Sequence, residues 1–348
     1  MAYITFHPKD YFNTVLYTGN GSDAHGITGV GFQPDWVWTK IRSGADNHGL
    51  YDVVRGVNKN LQTNSNYAEQ SYSTLLQSFD SDGFTIGTNG EINGNSSTFV
   101  SWNWRAGNSQ GSSNTDGSIN TTYTSVNTTA GFSIVQWTGN GSDGATIAHG
   151  LGAVPKMVIV KSSSNSENWN VYHEDITSAD NGNLYLNSSN AYAASGGNRW
   201  ARSSISSSVF GLGSDGTTNG NGQTYIAYCF AEKTGYSKFG KYTGNGNADG
   251  PFVYTGFKPA MIIFKITSST GDWRIFDSKR DTFNVADAIL YPSATNAEGT
   301  EISADFLSNG FKIRSSSSSY NTSGGTYIYM AFAEEPLVSS NNIPATAR

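Results

Sequence analysis

Histidine is the side chain best suited to acid–base catalysis and zinc binding near neutral pH, so an enzyme site should be sought first among the five histidines. They are His7, His25, His48, His149 and His173. None stands in a His-Glu-x-x-His zinc motif, and no Gly-x-Ser-x-Gly nucleophile elbow precedes a helical pattern. We therefore predict that the chain is not an enzyme.

One acidic stretch resembles the start of a calcium loop. Asp80-Ser81-Asp82-Gly83 opens it, and Glu91 stands at the twelfth position, where a bidentate ligand belongs. Phe84 is apolar at the fifth position, where an oxygen ligand is needed, and Thr85 replaces the sixth-position glycine. We predict a turn here, and no metal or cofactor.

Aromatic side chains are the best candidates for ligand contact. Sugars bind in shallow loop sites through flat aromatic faces with Asn, Asp and Ser hydrogen bonds. Aromatic residues in polar, loop-like segments are candidates for such contact, with surface packing as the alternative; they are Tyr67, Tyr72, Tyr192, Trp200 and Tyr320.

Composition indicates an all-β protein. Charged residues make up only 14%, and Gly, Ser, Asn and Thr take their place. These four residues are poor helix formers but suit strands joined by tight turns.

The net charge is −6 without clustered Lys or Arg, so the sequence predicts no nucleic-acid partner.

The sequence also bears on the cellular compartment. The single cysteine, Cys229, excludes an intrachain disulfide. Residues 1–10 lack the pattern of a signal peptide, and no apolar run reaches the length of a membrane span. We expect synthesis in a cytoplasm without membrane insertion.

The strongest signal is an internal repeat, present in three copies. Four elements recur in the same order. They are Thr-Gly-Asn-Gly at 18–21, 138–141 and 243–246; a lysine ending an apolar run at Lys40, Lys161 and Lys265; an apolar pair at 50–51, 171–172 and 275–276; and an aromatic strand at 99–104, 225–230 and 327–332. The Thr-Gly-Asn-Gly element predicts a hairpin turn, with a backbone-amide ligand cradle as the alternative.

The repeat defines the predicted domains. We expect an N-terminal arm plus repeat 1 at 1–107, a linker at 108–130, repeat 2 at 131–233, and repeat 3 with a C-terminal tail at 234–348. In the closing strand Val100, Trp102 and Trp104 alternate with small residues, which is typical of a central strand in a packed sandwich. The prediction is three tandem β-sandwich (jelly-roll-like) domains, with repeats 2 and 3 held close and repeat 1 freer.

Several phrases resemble a known family. They are GFQPDWVWTK (31–40), TAGFSIVQWTGNGSD (129–143), HGLGAVPKMVIVK (149–161), TYIAYCFAEKTGYSKFGKYTGNG (224–246), DGPFVYTGFKPA (249–260) and GGTYIYMAFAEEP (324–336). They are similar to a repeat domain of unassigned function in virion and tail-associated proteins of tailed phages of marine bacteria and cyanobacteria. The resemblance implies a virion location and other virion proteins as partners, and brings no catalytic or binding residues.

Two functions lead at this point, and a third, an enzyme that degrades surface polysaccharide, is the weakest because the sequence offers no convincing pair of acids. The first is a tail- or fibre-associated adhesin that contacts a host surface glycan, for which repeated scaffolds allow multivalent binding. The second is a capsid decoration or tail-assembly protein without a receptor role. Both a homotrimer, as is common in phage fibres, and a pseudo-symmetric monomer fit three repeats.

Overall fold

The computed structural model describes residues 6–176, 182–193, 198–338 and 344–346. Antiparallel strands dominate, which confirms the all-β prediction. In these ranges the helices are short: α1 (Gly90–Asn93), α2 (Gly216–Asn219), α3 (Ser318–Asn321) and 3₁₀ turns at Pro8–Asp10 and Arg202–Ser204. No helix in the described part of the chain is long and apolar enough to cross a membrane.

Repeat 1 forms two sheets. Its strands are β1 (Phe12–Thr18), β2 (His25–Thr28), β3 (Trp36–Ile41), β4 (His48–Asp52), β5 (Lys59–Gln62), β6 (Gln70–Ser71), β7 (Leu76–Asp80), β8 (Gly83–Ile86) and β9 (Thr98–Trp104). The larger sheet has the order β1-β9-β3-β4-β5-β6 and the smaller β2-β8-β7.

Repeat 2 repeats this plan. Its strands are β10 (Tyr123–Asn127), β11 (Phe132–Thr138), β12 (Ala145–Ala148), β13 (Met157–Ser162), β14 (Asn170–His173), β15 (Leu184–Tyr185), β16 (Val209–Leu212) and β17 (Thr224–Phe230). The larger sheet has the order β10-β11-β17-β13-β14-β15, and β12 pairs with β16. Strand β10 comes from the segment 108–130 and pairs with β11.

Repeat 3 follows the same order. Its strands are β18 (Ser237–Thr243), β19 (Phe252–Tyr254), β20 (Phe257–Ile266), β21 (Arg274–Asp277), β22 (Ala286–Ile289), β23 (Gly299–Leu307), β24 (Gly310–Ile313) and β25 (Thr326–Pro336). The two sheets have the orders β18-β25-β20-β21 and β19-β24-β23-β22.

Each repeat is therefore a sandwich of an inner and an outer sheet, and the inner sheet is the larger one in repeats 1 and 2. A separate apolar cluster fills each sandwich, for example around Val37, Phe84 and Ile86 in repeat 1. The corresponding clusters of repeats 2 and 3 contain Phe210 and Phe311. The closing strands β9, β17 and β25 lie inside their sheets, as their alternation predicts.

The other face of each inner sheet is also buried, and it packs against the other repeats. One continuous cluster contains residues of all three inner sheets, among them Trp36, Trp104, Phe230 and Phe332. The ring of Trp36 stacks on Tyr228 of repeat 2 at 4.4 Å between centroids. A single central core thus joins the three sandwiches.

Equivalent residues meet at the centre of this core. The last aromatic residues of β9, β17 and β25 are Trp104, Phe230 and Phe332. The ring centroid of Phe332 lies 5.6 Å from that of Trp104 and 6.0 Å from that of Phe230. All three inner sheets therefore surround one pseudo-threefold axis. The expectation that repeat 1 is freer is wrong, because its four tryptophans lie in the shared core.

At two of the three junctions, a side chain of one repeat donates a hydrogen bond to a buried aspartate of the neighbouring repeat. The Tyr228 hydroxyl of repeat 2 donates to Asp52 of repeat 1 at 2.8 Å. The equivalent Trp102 Nε1 of repeat 1 donates to Asp277 of repeat 3 at 3.1 Å. Both carboxylates are also held by an arginine three residues on, Arg55 or Arg280, at 2.5 Å.

Repeat 2 meets repeat 3 through a different pair at the same positions. Repeat 3 has Met330 where the others have Trp102 and Tyr228, and methionine has no donor. The partner position is correspondingly His173 instead of aspartate, and its Nε2 bonds to the Tyr329 carbonyl at 3.3 Å. The third junction is therefore closed by a donor on the opposite side.

The three repeated lysines are buried at these junctions. Each ammonium group donates to the carbonyl of the next residue, and Lys40 and Lys265 also reach carbonyls of the neighbouring repeat, Thr295 and Ser189. Burial lowers the pKa of Lys40 and Lys265 to about 8 and that of Lys161 to about 7. The repeat thus retains the lysine as a buried junction residue.

The inter-repeat bond of Trp102 can be tested by substitution. Trp102→Phe removes the donor to buried Asp277, whereas Trp104→Phe removes an indole N–H that has no hydrogen-bond partner. Since a hydrogen bond to a charged group contributes about 1.5–3 kcal/mol, Trp102→Phe should lower the free energy of unfolding by about that much more than Trp104→Phe. Urea unfolding of both variants measures this difference, and equal losses would contradict the assigned role.

Acid should destabilise the junction between repeats 2 and 3. His173 Nδ1 accepts from the Asp175 amide and Nε2 faces a carbonyl, which fixes the neutral ring. Burial lowers the pKa of His173 to about 4. The unfolded chain binds a proton below about pH 6.5 while the folded chain does not, so stability falls by roughly 3 kcal/mol as the pH drops from 6.5 to 4.

The matched variant is His173→Gln, which keeps a donor for the Tyr329 carbonyl without a titrating ring. Urea unfolding between pH 7 and 4 should show a steeper loss of stability for the natural chain than for the variant. An identical pH dependence of the two proteins would rule out His173 as the source.

Candidate functional site

The three junctions between repeats share one backbone hydrogen bond. In each, a backbone amide of one repeat donates to a backbone carbonyl of the next at 2.9 Å. The donor and acceptor residues are Glu69 and Ser163, Tyr192 and Thr267, and Glu298 and Arg42. The acceptors lie two residues after the repeated lysines. The backbone is therefore the same at each junction, and the side chains decide what the junction can bind.

An ion pair closes the junction between repeats 3 and 1. Arg42 holds Glu298 with two hydrogen bonds, at 2.9 and 2.7 Å, and Arg280 adds a third at 3.2 Å. Burial alone would raise the pKa of Glu298, but the two guanidinium groups hold it below its usual value. This carboxylate is fully engaged and unavailable to a ligand.

An aromatic ring covers the junction between repeats 2 and 3. Tyr192 is half-buried and packs against the central core. A Cβ placed on Gly182 would lie 1.4 Å from the Tyr192 hydroxyl oxygen, so the ring fits only over a glycine. Tyr192 is thus a junction residue that packs between two repeats.

The junction between repeats 1 and 2 has neither closure. Ser163 stands where Arg42 stands in repeat 1, so no arginine reaches Glu69 from across the junction. The Glu69 carboxylate contacts Lys59 at 3.1 Å and Arg55 at 3.5 Å, both from its own repeat. An open groove of about 370 Å³ lies here.

We call this space the junction groove. Its lining is almost entirely polar, with two cations, one carboxylate, two amides and three hydroxyls; the residues are Val54, Arg55, Lys59, Glu69, Gln110, Gln136, Ser163, Ser164 and Thr224. Gln110 is oriented by a hydrogen bond to the Val54 carbonyl at 2.7 Å. Such a surface offers several hydrogen-bond donors and acceptors along the groove, which suits a polyhydroxylated ligand.

Two predicted aromatic residues lie on the loop that forms one wall of this groove. Tyr67 and Tyr72 are 58% and 51% exposed, and Glu69 lies between them in the chain. The Tyr72 amide donates to the Asn58 carbonyl at 3.1 Å, which fixes the loop beside β5. Two exposed aromatic side chains therefore lie within three residues of Glu69 in the chain, although neither is itself among the residues that line the groove.

The other two predicted residues are in sandwich cores. Trp200 is fully buried and its Nε1 donates to Asn183 at 3.0 Å. Tyr320 is buried beneath Arg274, with its hydroxyl bonded to Glu301. Their neighbours in the sequence are polar, so the sequence alone did not indicate that these two side chains are buried. Neither side chain can contact a ligand from solvent in this conformation.

The residues of the calcium-like stretch do different structural work. Asp82 accepts from the Gly29 and Gly31 amides, and Asp80 accepts from Thr85. Glu91 is bound by the amides of Asn60 and Gln62. Across the described ranges, no group of three or more His, Cys, Asp or Glu side chains could hold a metal ion.

The Thr-Gly-Asn-Gly element is not a hairpin turn. It links a strand of the inner sheet to one of the outer sheet, and a buried asparagine from the short helix locks it in every repeat. Asn93, Asn219 and Asn321 each accept from the backbone amide of the element's asparagine, at 2.7–3.1 Å. Its amides are thus used internally.

Sequence reasoning did not identify the junction groove. The groove forms where two repeats meet, and most of its polar residues lie outside the recurring motifs. One signal was available, because the position two residues after the repeated lysine reads Arg42, Ser163 and Thr267. The consequence of this difference becomes clear only from the structure, in which Arg42 pairs with Glu298 across the junction and Ser163 has no such partner in Glu69.

Comparison with known proteins yields a family. A model described as "Domain of unknown function (DUF7483)" matches residues 7–336, a span that includes all three repeats. No curated protein and no solved structure matches the chain. The chain therefore belongs to the DUF7483 family, whose description names no activity.

Proposed function

We propose that this chain is a non-enzymatic structural and adhesion protein of a phage virion, associated with the tail or fibre, that contacts a host surface glycan through the junction groove. The observation that supports glycan contact is the polar groove, whose lining residue Glu69 lies between two exposed tyrosines, Tyr67 and Tyr72, in the chain. The family resemblance of the repeat phrases supports the virion location.

The chemistry of the groove fits binding better than cleavage. Glycoside hydrolysis in most families needs two carboxyl groups on opposite sides of the bond, about 5–10 Å apart. Glu69 is the single carboxylate among the residues that line the groove, and it already contacts Lys59. A neutral or mildly acidic saccharide would find hydroxyl, amide and ammonium partners without a reactive pair.

The architecture suits an adhesin. The shared core holds both walls of the groove, so a ligand meets a preorganised surface and little binding energy is lost in ordering loops. Because one chain already closes three repeats around an axis, the proposal does not require a homotrimer. Its partners would be other virion proteins and a host glycan.

The alternative function is a capsid decoration or tail-assembly protein without a receptor role. The uncovered side of repeat 3, where Phe252 and Tyr254 are exposed, favours a protein partner. The two functions are compatible in one molecule because the groove and this side belong to different repeats.

Glycan contact is tested by binding of the purified chain to host cells before and after periodate oxidation of their surface glycans. Binding should be saturable and should disappear after periodate. The double variant Tyr67→Ala/Tyr72→Ala should bind at least about tenfold more weakly, a loss of about 1.4 kcal/mol.

The matched control is Phe283→Ala, which removes a ring that is 78% exposed on repeat 3. It should bind like the natural chain. Binding that survives periodate would contradict the proposal that the ligand is a glycan. Equal weakening in the Phe283→Ala control would contradict the proposal that the ligand binds at the junction groove. If the chain does not bind untreated cells, the adhesin role is contradicted and the assembly role is the one that remains.

A further inference from the structure

Repeat 2 has an extended segment along the open side of its sandwich. Strand β10 adds to the inner sheet beside β11, and residues 117–119 run along the outer strand β12. The Ile119 amide donates to the Thr146 carbonyl at 3.1 Å, and the Thr146 amide donates to Ser118 Oγ at 2.8 Å. The outward polar groups of Thr146 are thereby satisfied.

The same segment fills the gap between the two sheets. Gly150 lies two residues after β12, with a positive φ of 69°. A Cβ on it would lie 3.4 Å from Val126 and 3.6 Å from Thr124, both on β10. Side chains of the covering segment therefore pack where the sandwich would otherwise be open.

Among the residues that the structure describes, repeat 3 has the same two strands without a covering segment. Only residues 231–236 separate β17 from β18, whereas residues 105–131 precede β11 in repeat 2. In the described ranges, β19 pairs with β24 alone. Phe252 and Tyr254 are 46% and 57% exposed on this strand.

A cavity of about 230 Å³ lies at this open side. Lys238 of β18, Tyr254 of β19, Gly256 and Leu337 are among its lining residues. Gly256 lies two residues after β19 with a φ of 83°, the position that Gly150 holds in repeat 2. The cavity thus occupies the place where repeat 2 has Val126 and Thr124.

Repeat 1 bridges this gap by itself. Asn13 of β1 donates to the Val30 carbonyl after β2 at 3.0 Å. The equivalent residue of repeat 3 is Lys238, which instead pairs with Glu232 at 2.7 Å. Repeat 3 is therefore the repeat whose sheet edges remain unbridged in the described structure.

Charge identifies the chemistry of the missing segment. The charged residues around the open side are already paired, as Lys238–Glu232, Lys258–Glu334 and Lys312–Asp249. A charged partner would therefore meet no unpaired counter-ion among these side chains. An uncharged strand fits, and residues 117–127 of this chain (GSINTTYTSVN), which perform this role in repeat 2, carry no charge.

We propose that the open side of repeat 3 binds an extended, uncharged segment of another polypeptide, rich in Ser, Thr and β-branched residues. That segment adds to β19 by strand pairing and inserts a β-branched side chain into the cavity beside Gly256. Strand addition supplies backbone hydrogen bonds, and the cavity supplies specificity. This site is independent of the glycan groove.

A fluorescent peptide of residues 117–127 is the probe, titrated into the full chain by polarisation. It should bind saturably at one site. Phe252→Pro removes the amide that points away from β24 and should weaken binding at least tenfold. Gly26→Pro, at the equivalent edge position of repeat 1, is the matched control and should leave binding unchanged.

Hydrogen exchange of the natural chain tests the same proposal without a variant. The peptide should slow exchange at residues 252–256 and leave the amides of Gly26 and Thr146 unaffected. Absence of saturable binding up to about 1 mM peptide, or protection at Thr146 instead of repeat 3, would overturn the proposal.

Discussion

The contact on which the structure depends is the burial of three inner sheets against one another around a single axis. An inner sheet packed only in its own sandwich would expose a face of large aromatic residues, such as Trp36 and Trp104 in repeat 1. Fully burying one such side chain contributes about 1.5–3 kcal/mol. The repeats can hide these faces only by closing on each other, so we regard them as one folding unit.

The hydrogen bonds at the axis show how repeats diverge without losing this closure. Tyr228 and Trp102 each donate to a buried aspartate of the neighbouring repeat. Met330 cannot donate, and the residue facing it is His173, which bonds to backbone instead. A substitution on one side of a junction is thus matched on the other, because an unpaired buried carboxylate would be costly.

The sequence predicted the repeat, the all-β class and the central position of the closing strand, since each depends on local alternation or on recurring text. It did not predict the shared core. Alternation places Trp102 and Trp104 on one face but does not say whether that face meets an outer sheet or another repeat. The burial of Trp200 and Tyr320 was not predicted for a similar reason. Their polar neighbours in the sequence indicate a loop, whereas residues distant in the sequence bury them.

Pseudo-symmetry also explains where function can lie. The core requires equivalent residues at the axis, but the outer junctions and sheet edges are free to differ. Arg42 closes one junction and Tyr192 covers another, which leaves a polar groove at the third. Similarly, repeat 2 has a covering segment, whereas the edge of repeat 3 is open in the described part of the chain. The proposed binding sites are the places where one repeat departs from the other two.

Differential scanning calorimetry of the full chain tests the central claim that the three repeats fold as one unit. A shared core predicts a single transition whose calorimetric enthalpy equals its van't Hoff enthalpy. Two or three separable transitions, with repeat 1 melting apart from repeats 2 and 3, would contradict it.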